Sequence, residues 1–442
     1  TYGRLRPFQV TPRVFPNGAN DQTHKGLQER ATVNFITGGA AWTSETRFGL
    51  TVNDMTRVDA FFEEGIETSK PEQTAWGRRI GAIKTNLGWS TPDTETRPLE
   101  GATWSVSHKY ARHAGQHSLK FGGEYVHEGG YRTNPQNPAY TYSSKADLLN
   151  NLPSGLTPTF GSPPYHATQW TLSAFAQDDW RKSRALVINI GVRYDYFTHM
   201  VAKPTTPADA ALYNLDGLLD RNFNFGPYRD PNNPYKSDGG VNLQPRFGFS
   251  YNPGGQGKTA IRGGFGVMFS PQLLGSTYVN VGSKLVPSRV TFTRQEIINN
   301  GIRWPMFAED LSKIVEQNAK TSGKINIRSV YDPNLQNPYS MNWSLGIQRT
   351  LGANLMLETA FVGNRGVKFL LHRWFNLPDR LTGIRPNPNL GSGYYIDSGQ
   401  NTVYNSWQTS LRKRFSRNFS GSAHFTWGKA LSTGGGGDIG SY

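Results

Sequence analysis

The feature that most constrains this chain is an alternation of apolar and polar side chains with a period of two, repeated in segments of about ten residues. Successive side chains of an extended strand point to opposite faces. Leu186, Ile188, Ile190, Val192, Tyr194 and Tyr196 therefore share one face, and Val187, Asn189, Gly191, Arg193 and Asp195 the other. The same split separates Met341, Trp343, Leu345 and Ile347 from Asn342, Ser344, Gly346 and Gln348. It also separates Phe48, Leu50 and Val52 from Arg47, Gly49 and Thr51, and Phe419, Ala423, Phe425 and Trp427 from Ser420, Ser422, His424 and Thr426. A soluble sheet alternates too, so the spacing of the segments has to decide.

The pattern predicts strands near 29–37, 43–53, 103–110, 117–127, 169–180, 185–197, 245–252, 258–270, 340–350, 354–364, 403–415 and 419–430. They fall into hairpins. Within each, the connection is short: Gly38 to Trp42, Ala111 to Gln116, Arg181 to Arg184, Pro253 to Gly257, Leu351 to Ala353, and Ser416 to Asn418. Between hairpins the chain runs through 54–102, 128–168, 198–244, 271–339 and 365–402. Loops beyond roughly 15 residues are uncommon in soluble domains. Tight turns on one side and large loops on the other are the pattern of a transmembrane β-barrel.

Composition agrees. Of 442 residues, 49 are Gly, 24 Phe, 20 Tyr and 11 Trp, and 36% are hydrophobic. That apolar fraction is thin for compact two-sided cores, but it suits a barrel in which every second residue faces water. The aromatics and the alternation argue against disorder. No run approaches the roughly 18–20 apolar residues of a spanning helix. The chain opens at Thr1-Tyr2-Gly3-Arg4 without the charged and apolar regions of a signal peptide. The absence of cysteine excludes disulfide scaffolds, thiolate metal sites and cysteine nucleophiles. The net charge of +15 is spread along the chain and not blocked. This disfavours nucleic acid as a partner and leaves anionic lipopolysaccharide or an anionic ligand.

Local motifs point to structure more than to chemistry. Gly254-Gly255-Gln256-Gly257-Lys258-Thr259 ends like a phosphate loop, yet Asn252 stands where the first glycine belongs and Ala260–Phe269 alternates as a strand, so a hairpin turn is expected. His108, His113, His117 and His127 are expected to be spread by a turn and two strands, without a metal site. Asp178-Asp179, Asp54 and Asp59 lack the ligand spacing of a calcium loop. No nucleophile elbow or zinc-protease helix is present, and neither an enzymatic activity nor a cofactor is expected. Trp104, Trp170, Trp180, Tyr194, Tyr196, Trp343, Trp407 and Trp427 lie near strand ends, as an interfacial girdle requires. A β-sandwich core is the alternative. In the long loops, Thr293-x-x-Glu296 and Ser144-x-x-Asp147 read as helix starts, and Phe307, Leu311, Ile314 and Val315 recur at helical spacing. Loops of this kind either shield the mouth or touch a ligand. Tyr140, Tyr142, Trp304, Tyr394 and Tyr395 are the candidate contacts, because aromatic stacking suits sugars and chelates.

A series of motifs in order along the chain resembles the barrel of TonB-dependent outer-membrane receptors, in particular their Oar-like branch. The series is Phe121-Gly122-Gly123-Glu124-Tyr125, Phe175-Ala176-Gln177-Asp178-Asp179-Trp180, and Ile190-Gly191-Val192-Arg193-Tyr194-Asp195-Tyr196. It continues through Pro245-Arg246-Phe247-Gly248-Phe249-Ser250-Tyr251, Ile261-Arg262-Gly263-Gly264-Phe265-Gly266, Asn337-Pro338-Tyr339, and Trp343-Ser344-Leu345-Gly346-Ile347-Gln348-Arg349. It closes with Phe361-Val362-Gly363-Asn364-Arg365-Gly366, Arg412-Lys413-Arg414-Phe415-Ser416 and Phe425-Thr426-Trp427-Gly428-Lys429. The resemblance implies an all-β, antiparallel transmembrane barrel in the outer membrane of a Gram-negative cell, the branch being abundant in acidobacteria. It also implies an N-terminal plug that engages TonB, a small carboxypeptidase-regulatory-like β-domain before it, and import of a scarce extracellular ligand. Twelve strands would be about half of the roughly 22 of a plugged transporter. Gly434–Tyr442 reads as the start of a loop. On that expectation residues 1–442 form a partial barrel domain, with the plug, the β-domain and the closing strands lying outside it.

Overall fold

The computed structural model describes residues 2–5, 8–11, 22–59, 82–88, 90, 97–135, 138–158, 161–198, 201–202, 241–255, 257–271, 292–306, 310–315, 317, 329–332, 335–352, 354–388, 392–416 and 418–434. In chain order the first strands are β1 (Tyr2–Leu5), β2 (Phe8–Thr11), β3 (Gln22–Gly39), β4 (Trp42–Asp59), β5 (Ala82–Thr85), β6 (Arg97–Ala114) and β7 (His117–Pro135). Then come β8 (Ala139–Tyr142), β9 (Gly155–Thr157), β10 (Gly161–Trp180), β11 (Leu186–Phe197), β12 (Val201–Ala202), β13 (Leu243–Tyr251) and β14 (Thr259–Phe269). The last are β15 (Ser329–Tyr331), β16 (Tyr339–Thr350), β17 (Leu355–Phe375), β18 (Gly393–Ser416) and β19 (Phe419–Ser432).

Each of the twelve strands expected from the alternation is present, and each pairs antiparallel with its neighbour in the order β3-β4-β6-β7-β10-β11-β13-β14-β16-β17-β18-β19. The first and last strands of this sheet are not paired to each other among the described residues, so the wall is an open arc of a barrel. Among the described residues these strands form one continuous sheet, and the other sheet consists only of the short strands β5, β8 and β9, which does not fit the sandwich alternative.

Register confirms the two faces. Ile190, Val192, Tyr194 and Tyr196 align with Asp178, Ala176, Ala174 and Leu172, while Asp195, Arg193 and Gly191 align with Ser173, Phe175 and Gln177. The first set is outward and exposed, with Ile190 at 55%; the second is the inner wall, where Ser173 and Asp195 are buried. A sheet that exposes so much apolar surface on one face is stable only against lipid. On that outer face an aromatic chain crosses four strands: Trp104 to Tyr125 at 5.0 Å, Tyr125 to Trp170 at 5.9 Å, and Trp170 to Tyr196 at 5.4 Å between ring centroids. A second aromatic group lies at the tight-turn rim, where His117 stacks on Trp180 at 5.6 Å and Trp42 on Tyr110 at 6.1 Å. From Trp170 to Trp180 the strand advances ten residues, about 33 Å at about 3.3 Å each. Tilted by about 40°, this spans about 25 Å, the height of the apolar band between girdles.

Glycines let aromatic rings lie flat on the sheet. A Cβ on Gly122 would come 2.5 Å from the Phe175 ring, so that ring occupies the space a side chain would take.

The strands depart from expectation at their ends. β6 continues to Ala114 through residues expected to turn, because Gly115, at φ +61°, makes a two-residue reversal possible at Gly115-Gln116. On the loop side β17 and β18 reach 21 and 24 residues, about twice what a bilayer needs. Their ladder continues into water, where the apolar signal is lost but the backbone bonds are not. The phosphate-loop look-alike is a turn, with Gly254, Gly255 and Gly257 all at positive φ. Residues 227–234, 435–442 and Phe307 lie outside the described residues.

Val192→Arg puts a charge at mid-height on the outer face and is expected to cost about 2–4 kcal/mol of stability in lipid. Arg193→Lys, one residue away on the inner face, should cost less. Denaturant titration in vesicles measures both.

Candidate functional site

Two arrangements of side chains stand out among the described residues. The first is the polar inner wall. Arg193 is its centre: Nε donates to Asp195 at 2.8 Å, Nη2 donates to Ser173 Oγ at 2.8 Å, and Glu124 lies 3.6 Å away. Asp195 also accepts from the Gln244 amide, and Asn242 Nδ2 donates to its carbonyl oxygen at 2.9 Å. The buried charge of Asp195 is thus compensated by an ion pair and a side-chain amide, as burial requires. Toward the tight turns, Asp179 takes Lys120 at 2.8 Å, Asn189 at 2.6 Å and Gln177 at 3.0 Å. Further round the wall, Glu45 holds Lys109 at 2.9 Å and Arg47 at 3.1 Å.

The second arrangement is a lid built from three long loops. β5, β8 and β9 form a small separate sheet, parallel between β5 and β8 and antiparallel between β8 and β9. Two short helices pack against it, α1 (Lys145–Leu149) and α2 (Arg294–Asn299), with a further helical turn over 310–315. Both helix starts follow the expected chemistry: Ser144 caps Asp147, and Thr293 with Glu296 completes a reciprocal capping box. Tyr140, Tyr142, Leu156, Phe292, Ile297 and Leu311 are at the centre of one apolar core drawn from loops far apart in sequence. Phe292 bridges to Leu156, Asn151 Oδ1 accepts from the Trp304 backbone at 3.2 Å, and Asp147 pairs with Arg294 at 2.8 Å.

The candidate contact residues fall into different surroundings. The rings of Tyr140 and Tyr142 are 0% and 1% exposed. Their faces pack against the lid's own side chains, and both are among the largest fully buried side chains of the described residues. Trp304 is half-buried against the same core. Tyr395 is buried on β18, whereas Tyr394, beside it, keeps part of its surface and packs on Trp374 at 4.2 Å. The five residues therefore form two groups, one in the lid and one on the β17–β18 arm.

Three of the histidines have separate partners: His108 meets Thr46 at 2.9 Å, His117 meets Asp178 at 2.6 Å, and His127 stacks on Trp104 at 5.6 Å. No group of metal-binding side chains forms among the described residues. Asp178 and Asp179 point to opposite faces, so they cannot share an ion.

Residues 4–442 match a family model, that of the outer membrane beta barrel domain. The chain belongs to that family. Together with the lipid-facing girdles, membership places it in the outer membrane. No curated protein matches the sequence. Among solved structures, the outer membrane transporter YddB from Escherichia coli is similar with a TM-score of 0.57 at 12% identity, over 98% of this chain and 45% of YddB. The copper transporter OprC gives 0.47 at 10% identity, over 92% and 46% of the two chains. The ferric yersiniabactin uptake receptor FyuA from Yersinia pestis gives 0.47 at 8%, over 93% and 44%. The chain therefore spans less than half the length of these outer-membrane proteins.

The Ser144 hydroxyl, and then Arg294, hold the Asp147 carboxyl below the usual aspartate range. A depressed carboxyl stabilises the fold above its unfolded value, and that contribution disappears as pH falls through the folded value. The hydrogen-exchange protection factors of 145–156 and 294–302, taken relative to the intrinsic rate at each pH, should therefore fall together in acid. Asp147→Asn should already show the lower protection at neutral pH. Burial pushes the Tyr142 hydroxyl up to about 12. Lid stability should fall again as pH rises from the ordinary tyrosine value of about 10 toward that point.

Proposed function

We propose that this barrel is the wall of a TonB-dependent receptor of the Oar-like branch, capturing an extracellular ligand with its loops for energy-coupled import. The observation that carries the reading is the pairing of a folded lid with a charged, hydrogen-bonded inner wall. A barrel that served only as an anchor needs neither. On this reading a plug and further strands complete the barrel, TonB acts through the plug, and lipopolysaccharide surrounds the basic exterior. We assign the protein no catalytic step and no cofactor. Trp304 and Tyr394, which keep exposed surface, are the remaining aromatic contacts for the ligand.

A second reading, a surface anchor with adhesive loops, is favoured by the tip between β17 and β18. There Asp379 accepts from Leu381 at 3.0 Å and Thr382 at 2.8 Å, and Asn376 accepts from the Asn387 backbone at 2.8 Å. This ordered loop displays Leu381 at 96% exposure.

Deleting the complete gene should abolish growth on, or uptake of, one scarce solute, and a protonophore should abolish that uptake in the parent strain. Loss of surface attachment with every uptake intact would instead select the anchor.

A further inference from the structure

The inner wall contains two adjoining recesses that share Phe175 and Arg193. The larger, about 210 Å³, is also lined by Glu45, Arg47, Lys109 and Glu124. Its charges answer one another through the ion pairs described above. The smaller, about 180 Å³, is lined by 175–177, 191–193 and Arg246, with no carboxylate among them.

Arg193, which also lines this recess, is held by Ser173 and Asp195, each at 2.8 Å, with Glu124 3.6 Å away. Arg246 lies opposite Gly191 in the β11–β13 register and is exposed to the lumen. Its guanidinium forms no ion pair among the described residues, so it is the uncompensated positive charge of the recess. Gly191 is the floor. A Cβ there would come no closer than 3.4 Å to its neighbours, and its φ is not positive. Neither packing nor backbone geometry within this chain demands glycine, which leaves the space open to a group from outside.

We propose that Phe175, Gln177, Arg193 and Arg246 form a luminal anion site that takes the phosphate or carboxylate group of a small acidic solute. The proposal rests on the transport reading and names its substrate class. Two guanidinium groups on one recess match the flat, forked geometry of such anions. Gln177 Nε2 is engaged by Asp179 at 3.0 Å, leaving the amide oxygen to accept from a hydroxyl beside the anion. The recess is small against the roughly 300–1,000 Å³ of a whole-ligand pocket. It therefore holds one anionic group, with the rest of the solute in the lumen.

The test is calorimetric titration of inorganic phosphate into the full chain in lipid nanodiscs at low salt. Wild type should bind, and Arg246→Gln should weaken binding about tenfold or more, the loss of a charge-assisted contact. Gly191→Val should also weaken it, by filling the floor while circular dichroism shows the sheet intact. Arg262→Gln should bind as wild type, since Arg262 is on the same face but outside the recess, donating to Gln348 at 3.2 Å. Equal binding by wild type and Arg246→Gln, or equal loss in Arg262→Gln, would overturn the site. Uptake of a phosphorylated or carboxylated solute by cells carrying the complete gene separates the two ideas. Loss of phosphate binding in Arg246→Gln without any wild-type uptake would leave the site standing and remove the transport reading. Uptake with unchanged phosphate binding would do the reverse.

Discussion

The structure depends on one constraint: in lipid, every backbone N–H and C=O must find its partner within the protein. Twelve strands in sequence, each paired antiparallel with the next, meet that demand except at the two edges of the sheet. Once the backbone is committed in this way, side chains have two destinations. From Gln169 to Asp179 the odd-numbered members of β10 enter the lumen and the even-numbered ones face the bilayer. Girdle, polar wall and glycine-backed rings all follow from that division.

The division also explains where chemistry can be placed. Charged side chains on the inner wall are spared the lipid, but those that are buried there still need partners. Arg193 has three, and Asp195 is closed in by Gln244 and Asn242. Arg246 departs from this pattern, exposed and without a counter-charge among the described residues. Above the wall, the loops face a different problem. Outside the membrane no lipid supports an apolar face, so the loops assemble a core of their own, and Tyr140 and Tyr142 are used up in building it.

The wall's strands and their order were legible in the sequence because alternation with a period of two is read directly from side-chain identity. Strand ends were less so. β6 overran its expected turn since Gly115 allows a tighter one, and β17 and β18 overran the bilayer since backbone pairing continues where lipid no longer imposes a pattern. Both helix caps in the loops were legible, being local chemistry. The lid core was not, because contacts such as Phe292 with Leu156 join loops more than a hundred residues apart and leave no periodic trace. The inner-wall cluster was half legible. Alternation put Arg193 on the polar face, but its meeting with Gln177 and Arg246 depends on the registers of β10, β11 and β13.

The central claim is that lipid and water take opposite faces of the same strand. Because the chain has no cysteine, single cysteines placed in turn from Ile190 to Tyr196 can be probed one at a time in reconstituted bilayers. A water-soluble thiol reagent should label positions 191, 193 and 195, and a lipid-borne fluorescence quencher should reach dyes at 190, 192, 194 and 196. Labelling that did not alternate, or an inner face as dry as the interior of a sandwich, would contradict the account.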